Sequence, residues 1–87
     1  MNSRTTKQFW NLYNALPLEI QARADKAYVL WLRNPNSSGL RFKQVDKEGP
    51  IYSARINHQY RVLGILQGDT ITWFWIGKHK IYDRLLR

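Results

Sequence analysis

The chain has 87 residues, a net charge of +8 from 14 lysines and arginines against six aspartates and glutamates, and no cysteine. This length predicts one domain, residues 1–87, and the lack of cysteine excludes a disulfide framework, a thiolate nucleophile and a cysteine-ligated zinc site. No apolar run approaches the roughly 20 residues of a membrane span. The excess of positive charge predicts a polyanionic partner, nucleic acid above all. The alternative is that the charge serves solubility alone.

Two helices are predicted at the start of the chain. Residues 1–7 lead into no apolar signal-peptide core, so we expect a cytoplasmic protein. Phe9, Tyr13 and Leu16 recur at helical spacing over residues 6–16, and Pro17 then interrupts the pattern while suiting the first turn of a second helix. This second helix is predicted over residues 18–33, up to the Asn-Pro pair. The short connection predicts an antiparallel helical hairpin.

The remainder of the chain is rich in β-branched and aromatic residues and predicts strands. Four strands are expected, over residues 40–45, 51–56, 60–66 and 70–76, with turns at 46–50, 57–59 and 67–69. A short helix is expected over residues 81–86. Helices followed by strands predict an α+β fold, in which the hairpin packs on a four-stranded antiparallel sheet and a short C-terminal helix partly covers the second face.

The aromatic residues of the last strand are expected to form core. By alternation, Trp73 and Trp75 share one face and Phe74 takes the other. Core packing is favoured for both tryptophans over stacking on bases.

Cations and one histidine follow the predicted strand ends. Arg41 and Lys43 are expected on one face of the first strand; further candidates are Arg55, Arg61, Lys78, His79, Lys80 and Tyr82. Because short turns make strand ends neighbours, Arg55, Arg61 and His79 are expected near one rim. Such a rim offers bidentate guanidinium donors to a phosphate and a group that moves protons near neutral pH.

Each candidate also has a purely structural interpretation. Arg61 is compatible with a surface pair to an acid such as Asp69, His79 with a solvated loop, and Tyr82 with packing against the sheet. His58 is expected to be structural or inert, and two histidines separated by a hairpin form no metal-ligand pattern. No glycine-rich phosphate loop is present either. We therefore expect no metal and no other cofactor.

The order and spacing of several segments resemble the RelE/ParE toxin superfamily of bacterial type II toxin–antitoxin modules. These segments are NPNSSGLRFKQV, YSARINHQYRVLGIL, the QGD hairpin and ITWFWIGKHKIYDRLL. The resemblance covers essentially the whole chain. It implies a toxin that a cognate antitoxin wraps and blocks. The RelE branch, which this chain resembles most, comprises endoribonucleases that cut messenger RNA, commonly on the ribosome, and thereby inhibit translation.

The resemblance also implies roles for individual residues. Arg61 matches an arginine that contacts the scissile phosphate, His79 a general acid or base, and Tyr82 an aromatic residue around the substrate. Arg55 and Lys43 match cations that orient the RNA backbone, and the remaining candidate RNA-binding cations are Arg41, Lys78 and Lys80. The implied reaction, attack of a ribose 2′-hydroxyl on its phosphate, needs no metal.

The sequence departs from the family pattern in one respect, and two other interpretations of its function remain open. No clear general base stands at the matching positions. The ParE branch, which poisons DNA gyrase and cuts no RNA, shares the fold. A nucleic-acid-binding module without catalytic activity is the third interpretation, and its affinity would fall steeply with salt.

Overall fold

The computed structural model describes residues 1–46 and 49–85. In chain order these form β1 (Asn2–Thr5), α1 (Lys7–Asn14), α2 (Leu18–Arg33), a 3₁₀ turn (Ser38–Leu40), β2 (Lys43–Gln44), β3 (Ile51–Arg55), β4 (Tyr60–Gln67), β5 (Thr70–Lys78) and α3 (His79–Leu85). The centre of the predicted 46–50 turn and Leu86 of the predicted last helix lie outside the described residues. Within them, no helix is long and apolar enough to cross a membrane.

The helical hairpin is closed by side chains at its turn. The Thr6 hydroxyl accepts the Phe9 N–H at 3.1 Å and so caps the start of α1. The Gln21 amide donates to the carbonyls of Tyr13 and Leu16, at 3.1 and 3.2 Å, and so ties the start of α2 to the end of α1. Side chains near the turn therefore fix where α1 begins and how it connects to α2.

The sheet has five strands in the order β1-β5-β4-β3-β2. Strands β2 to β5 form the predicted antiparallel meander. The expectation of an all-antiparallel, four-stranded sheet is wrong, because Asn2–Thr5 runs parallel to β5, from the Asn2–Thr70 pair to the Thr5–Trp73 pair. This polar segment has no alternating pattern, and it becomes a strand because the edge of β5 pairs its backbone groups.

The first predicted strand is much shorter than residues 40–45. The 3₁₀ turn ends at Leu40, whose side chain is buried, and Arg41 follows with a φ of 46°, in the left-handed region. Only Lys43–Gln44 then pairs with β3. Arg41 therefore lies outside β2, and the prediction of a strand whose alternation relates Arg41 to Lys43 is wrong.

A β-bulge in β5 separates the two neighbouring tryptophans. Leu63 pairs with Trp75 and Gly64 with Trp73, so Phe74 is the additional residue. Trp73 consequently faces the hairpin, whereas Trp75 lies on the opposite face. Alternation predicted one shared face, and the bulge makes that prediction wrong, although both side chains are buried as expected.

The core lies between the hairpin and one face of the sheet. Its buried members are Phe9, Trp31, Leu40, Ala54, Ile71, Trp73 and Ile76. On the other face Leu63 and Trp75 are buried, and the Trp75 ring lies 6.3 Å from that of Tyr82 in α3. The α+β arrangement of helices on a sheet is confirmed, and it leaves the second face only partly covered.

The bulge yields a stability prediction at Gly64. A Cβ there would lie 2.7 Å from side-chain atoms of both Ile71 and Trp73. Because such crowding forces core side chains to move, we expect Gly64→Ala to lower the free energy of unfolding by about 1–3 kcal/mol in urea denaturation.

Gly39→Ala is the matched control, since a Cβ at Gly39 meets nothing within 4 Å. We expect it to be neutral or slightly stabilising through the unfolded state. Equal denaturation midpoints for the two variants would contradict this account of the bulge.

Candidate functional site

Two arginines face each other on the side of the sheet away from the hairpin. Arg55 at the end of β3 pairs directly with Arg61 near the start of β4, and Arg61 pairs with Gly77 of β5. Directly paired residues share a face, and this face also carries Leu63 and Trp75. The Trp75 ring lies over Gly77, where a Cβ would come within 2.9 Å of it. The arginines are thus bordered by an aromatic surface.

Arg61 is fixed by backbone carbonyls. Its Nη1 donates to the carbonyl of Asn57 and, at 3.0 Å, to that of Tyr60. The alternative of a surface pair with Asp69 is not observed. Asp69 instead accepts weak hydrogen bonds from Asn2 and Thr70 at the other end of the strands. The turn that joins β3 to β4 therefore holds one edge of the guanidinium group.

The electrostatics at Arg61 reflect a crowded positive site. Burial lowers the pKa of the guanidinium; the nearby Tyr82 and Asp83 raise it, and the charges of Arg55 and Arg41 lower it further. An arginine stays protonated in spite of such shifts. The cluster therefore keeps several positive charges close together, which favours a bound anion.

The first turn of α3 lies beside this cluster. The His79 N–H donates to the Gln59 carbonyl at 2.8 Å, which ties the start of α3 to the β3–β4 turn. The His79 Nδ1 lies 3.5 Å from a carboxylate oxygen of Asp83, and the ring centroids of His79 and Tyr82 are 6.5 Å apart. Asp83 was not among the predicted site residues, because the last helix was predicted over residues 81–86 and so did not include His79, four residues before Asp83.

The other candidate cations lie on different parts of the molecule, and not all of them are on the face that carries Arg55 and Arg61. Arg41 is exposed, and its charge acts on Arg61. Lys43 pairs with Ser53, which places it on the same face as Arg55. Lys78 pairs with Tyr60 and so belongs to the face that carries the hairpin. Lys80 is exposed on α3.

This arrangement can bind a phosphate and exchange a proton beside it. Guanidinium groups bind phosphate oxygens in bidentate fashion, and imidazole titrates near neutral pH. We refer to Arg41, Arg55 and Arg61 as the arginine cluster. Its neighbours on α3 are His79 and Tyr82. Their joint position makes them the best candidates for a functional site.

The chain matches the model of a protein family. The model of the ParE-like toxin domain matches residues 18–84. No curated protein sequence matches the chain.

Solved structures resemble this fold over nearly the whole chain. YafQ from E. coli strain BL21(DE3) has a TM-score of 0.75 at 9% identity, covering 93% of this chain and 96% of its own. The YoeB/ParE toxin from Agrobacterium tumefaciens has a TM-score of 0.71 at 14% identity, covering 91% and 99%. The RelB–RelE antitoxin–toxin complex from Methanococcus jannaschii has a TM-score of 0.69 at 25% identity, covering 93% and 96%.

The arginine cluster yields a prediction about salt dependence. Each lost phosphate contact lowers the slope of log affinity against log salt by about 0.7 for a single strand. We expect Arg55→Ala to reduce the slope by that amount for a single-stranded RNA oligonucleotide, measured by fluorescence anisotropy across a salt series.

Lys26→Ala removes an exposed charge from α2, on the other side of the molecule, and serves as the control. It should leave the slope unchanged. Equal slopes for the wild type and the Arg55 variant would exclude a phosphate contact at Arg55.

Proposed function

This chain belongs to the ParE-like toxin family, within the RelE/ParE superfamily, and from that premise we propose that it is a type II toxin that cuts messenger RNA on the ribosome. The observation that carries the proposal is the opposed pair Arg55–Arg61, with His79 at the same rim of the sheet. A chain that only bound DNA gyrase would need no proton-transfer group beside paired guanidinium groups.

Arg61 binds the scissile phosphate in this proposal. Its guanidinium is held by two carbonyls, so little reorganisation is needed when charge builds up on the phosphate oxygens. Arg55, directly opposite, takes a second phosphate oxygen. Arg41 and Lys43 bind the RNA backbone on the adjoining part of this face.

The reaction is attack of the ribose 2′-oxygen on its own phosphorus while the bond from phosphorus to the 5′-oxygen breaks. His79 gives a proton to the departing 5′-oxygen through Nε2, because Nδ1 lies toward Asp83. The 2′-hydroxyl loses its proton to solvent, since Arg41, Arg55 and Arg61 supply positive charge rather than a base. The products are a 2′,3′-cyclic phosphate and a free 5′-hydroxyl.

Tyr82 and the α3 cations complete the RNA site. The Tyr82 ring lies between Trp75 and His79, at centroid distances of 6.3 and 6.5 Å, and contacts the nucleotide beside the scissile bond. Lys80 on α3 attracts the RNA electrostatically. Lys78, on the hairpin face, contributes only long-range attraction.

The partner that restrains this activity is a cognate antitoxin. Several structures with this fold are toxin–antitoxin complexes, including RelB–RelE from Methanococcus jannaschii and DinJ–YafQ from E. coli. The net charge of +8 favours an acidic partner. We expect the antitoxin to be encoded beside this chain and to fold as it binds.

Gyrase inhibition is the second candidate function, because the matching family model is named for ParE. Induced expression in bacteria separates the possibilities. Growth arrest with mRNA cuts at codon positions supports the ribonuclease, whereas arrest with DNA breaks or supercoiling defects supports gyrase inhibition. No arrest would leave a non-catalytic nucleic-acid-binding module.

The proposed roles predict large losses of activity in two variants. We expect Arg61→Ala to slow RNA cleavage by about 10²–10³-fold, because the phosphate charge loses a fixed donor. We expect His79→Ala to slow it by about 10²–10⁴-fold through the missing proton donor. Cleavage is measured on programmed ribosomes with purified proteins, and folding by circular dichroism.

The other histidine provides the matched control. His58 is exposed in the β3–β4 turn, so His58→Ala should retain full activity. Arg61→Lys keeps the charge but not the bidentate geometry, so it separates the need for a positive charge from the need for a guanidinium group. Full cleavage by both the Arg61→Ala and His79→Ala variants would exclude these roles.

A further inference from the structure

The turn that joins β3 to β4, residues 56–59, contacts both groups of the candidate site. Its Asn57 carbonyl accepts a hydrogen bond from Arg61 Nη1, and its Gln59 carbonyl accepts one from the His79 N–H at 2.8 Å. Both acceptors belong to one short segment of backbone. The conformation of this turn therefore sets where the Arg61 guanidinium and the first residue of α3 lie relative to each other.

The Asn57 side chain fixes the backbone of this turn. Its Oδ1 accepts the backbone N–H groups of Gln59 and Tyr60, both at 2.9 Å. An asparagine that binds backbone N–H groups just ahead of it forms an Asx turn, and its amide oxygen has two lone pairs for two such donors. Both lone pairs are used here. One half-buried side chain thus holds the backbone from Asn57 to Tyr60.

The Tyr60 carbonyl connects this side chain to Arg61. It accepts the N–H groups of Ile56 and Asn57, at 3.0 and 3.4 Å, as well as the Arg61 Nη1 at 3.0 Å. The N–H of the same residue donates to the Asn57 side chain. A change in the Asn57 side chain therefore reaches both carbonyls that bind Arg61, through the backbone and without touching the guanidinium itself.

Electrostatic repulsion acts against this arrangement. Arg55 and Arg61 are directly opposed where β3 and β4 enter the turn. Like charges at directly paired positions destabilise the pairing of two strands, so they favour opening of the turn. The Asn57 bonds oppose that opening with a neutral amide. The turn is thus held closed without an acid that would cancel the positive charge at the site.

We infer that Asn57 is a positioning residue for the RNA cleavage reaction, whose side chain holds the turn that keeps Arg61 and His79 in their relative places. The inference rests on the proposed function, because it assumes that Arg61 and His79 act on one phosphate. Asn57 itself contacts no reacting atom. Fixed donors need little reorganisation in the transition state, and a misplacement of about 1 Å can slow a reaction about 100-fold.

The first test separates binding from catalysis on programmed ribosomes. Asn57→Ala removes the side-chain acceptor and keeps the carbonyl that binds Arg61. We expect kcat to fall about 10–100-fold, because the donor and the acid are no longer held together. We expect KM to change by less than about twofold, since the cations that attract the RNA are all retained. Urea denaturation checks that the variant is folded in the assay.

A conservative variant and a neighbouring residue provide the controls. A serine hydroxyl closes the same kind of turn more weakly than an asparagine amide does. Asn57→Ser should therefore recover a large part of the lost kcat, and it carries the test if Asn57→Ala unfolds. His58→Ala removes an exposed side chain from the same turn and should leave both constants unchanged.

The second test needs no activity. The first N–H groups of a helix lack an acceptor within the helix, so the Gln59 carbonyl protects the His79 amide from hydrogen exchange. We expect Asn57→Ala to lose most of that protection, and Asn57→Ser to lose less of it. Amides in the middle of β4 should keep theirs, which distinguishes a local opening of the turn from unfolding of the domain.

The outcomes distinguish this inference from the proposed function. If the wild type cuts no RNA, the proposed function fails and the positioning role fails with it. If the wild type cuts RNA and Asn57→Ala cuts equally fast, only the positioning role is overturned. A higher KM at unchanged kcat would show that Asn57 binds the RNA directly, and this too would overturn the inference. So would full protection of the His79 amide in Asn57→Ala.

Discussion

The direct opposition of Arg55 and Arg61 across β3 and β4 is the constraint on which the site depends. Like charges at a directly paired position destabilise a sheet, so this register is unfavourable by itself. Two carbonyls of the connecting turn offset the repulsion by binding the Arg61 guanidinium. The nearby Asp83 carboxylate offsets a further part of it. A bound anion would offset the rest, so anion binding at this pair would also stabilise the register of β3 and β4.

The sheet divides the molecule into two surfaces with different chemistry. One face carries guanidinium groups and Trp75, and α3, with Tyr82 and His79, partly covers it. The other carries the hairpin and an apolar groove with two indole donors that have no acceptor among residues 1–46 and 49–85. The bulge at Phe74 places Trp73 on the hairpin face and Trp75 on the opposite face of the same strand. One local irregularity thus supplies aromatic packing to both surfaces.

Features set by local pattern could be predicted from the sequence. The hairpin followed from helical spacing and Pro17, and the neighbouring positions of Arg55 and Arg61 followed from a short turn. Features set by distant pairing could not. Strand β1 is polar and becomes a strand only beside β5, and the bulge depends on how β4 and β5 align. Arg41 adopts a left-handed conformation that non-glycine residues rarely take, so alternation failed there.

The parallel pairing of β1 with β5 also determines when the five-stranded sheet can form during folding. Asn2 and its partner Thr70 are 68 residues apart along the chain. Strand β1 consequently cannot pair with the sheet until β5 has been made. Contacts so distant along the chain also slow folding.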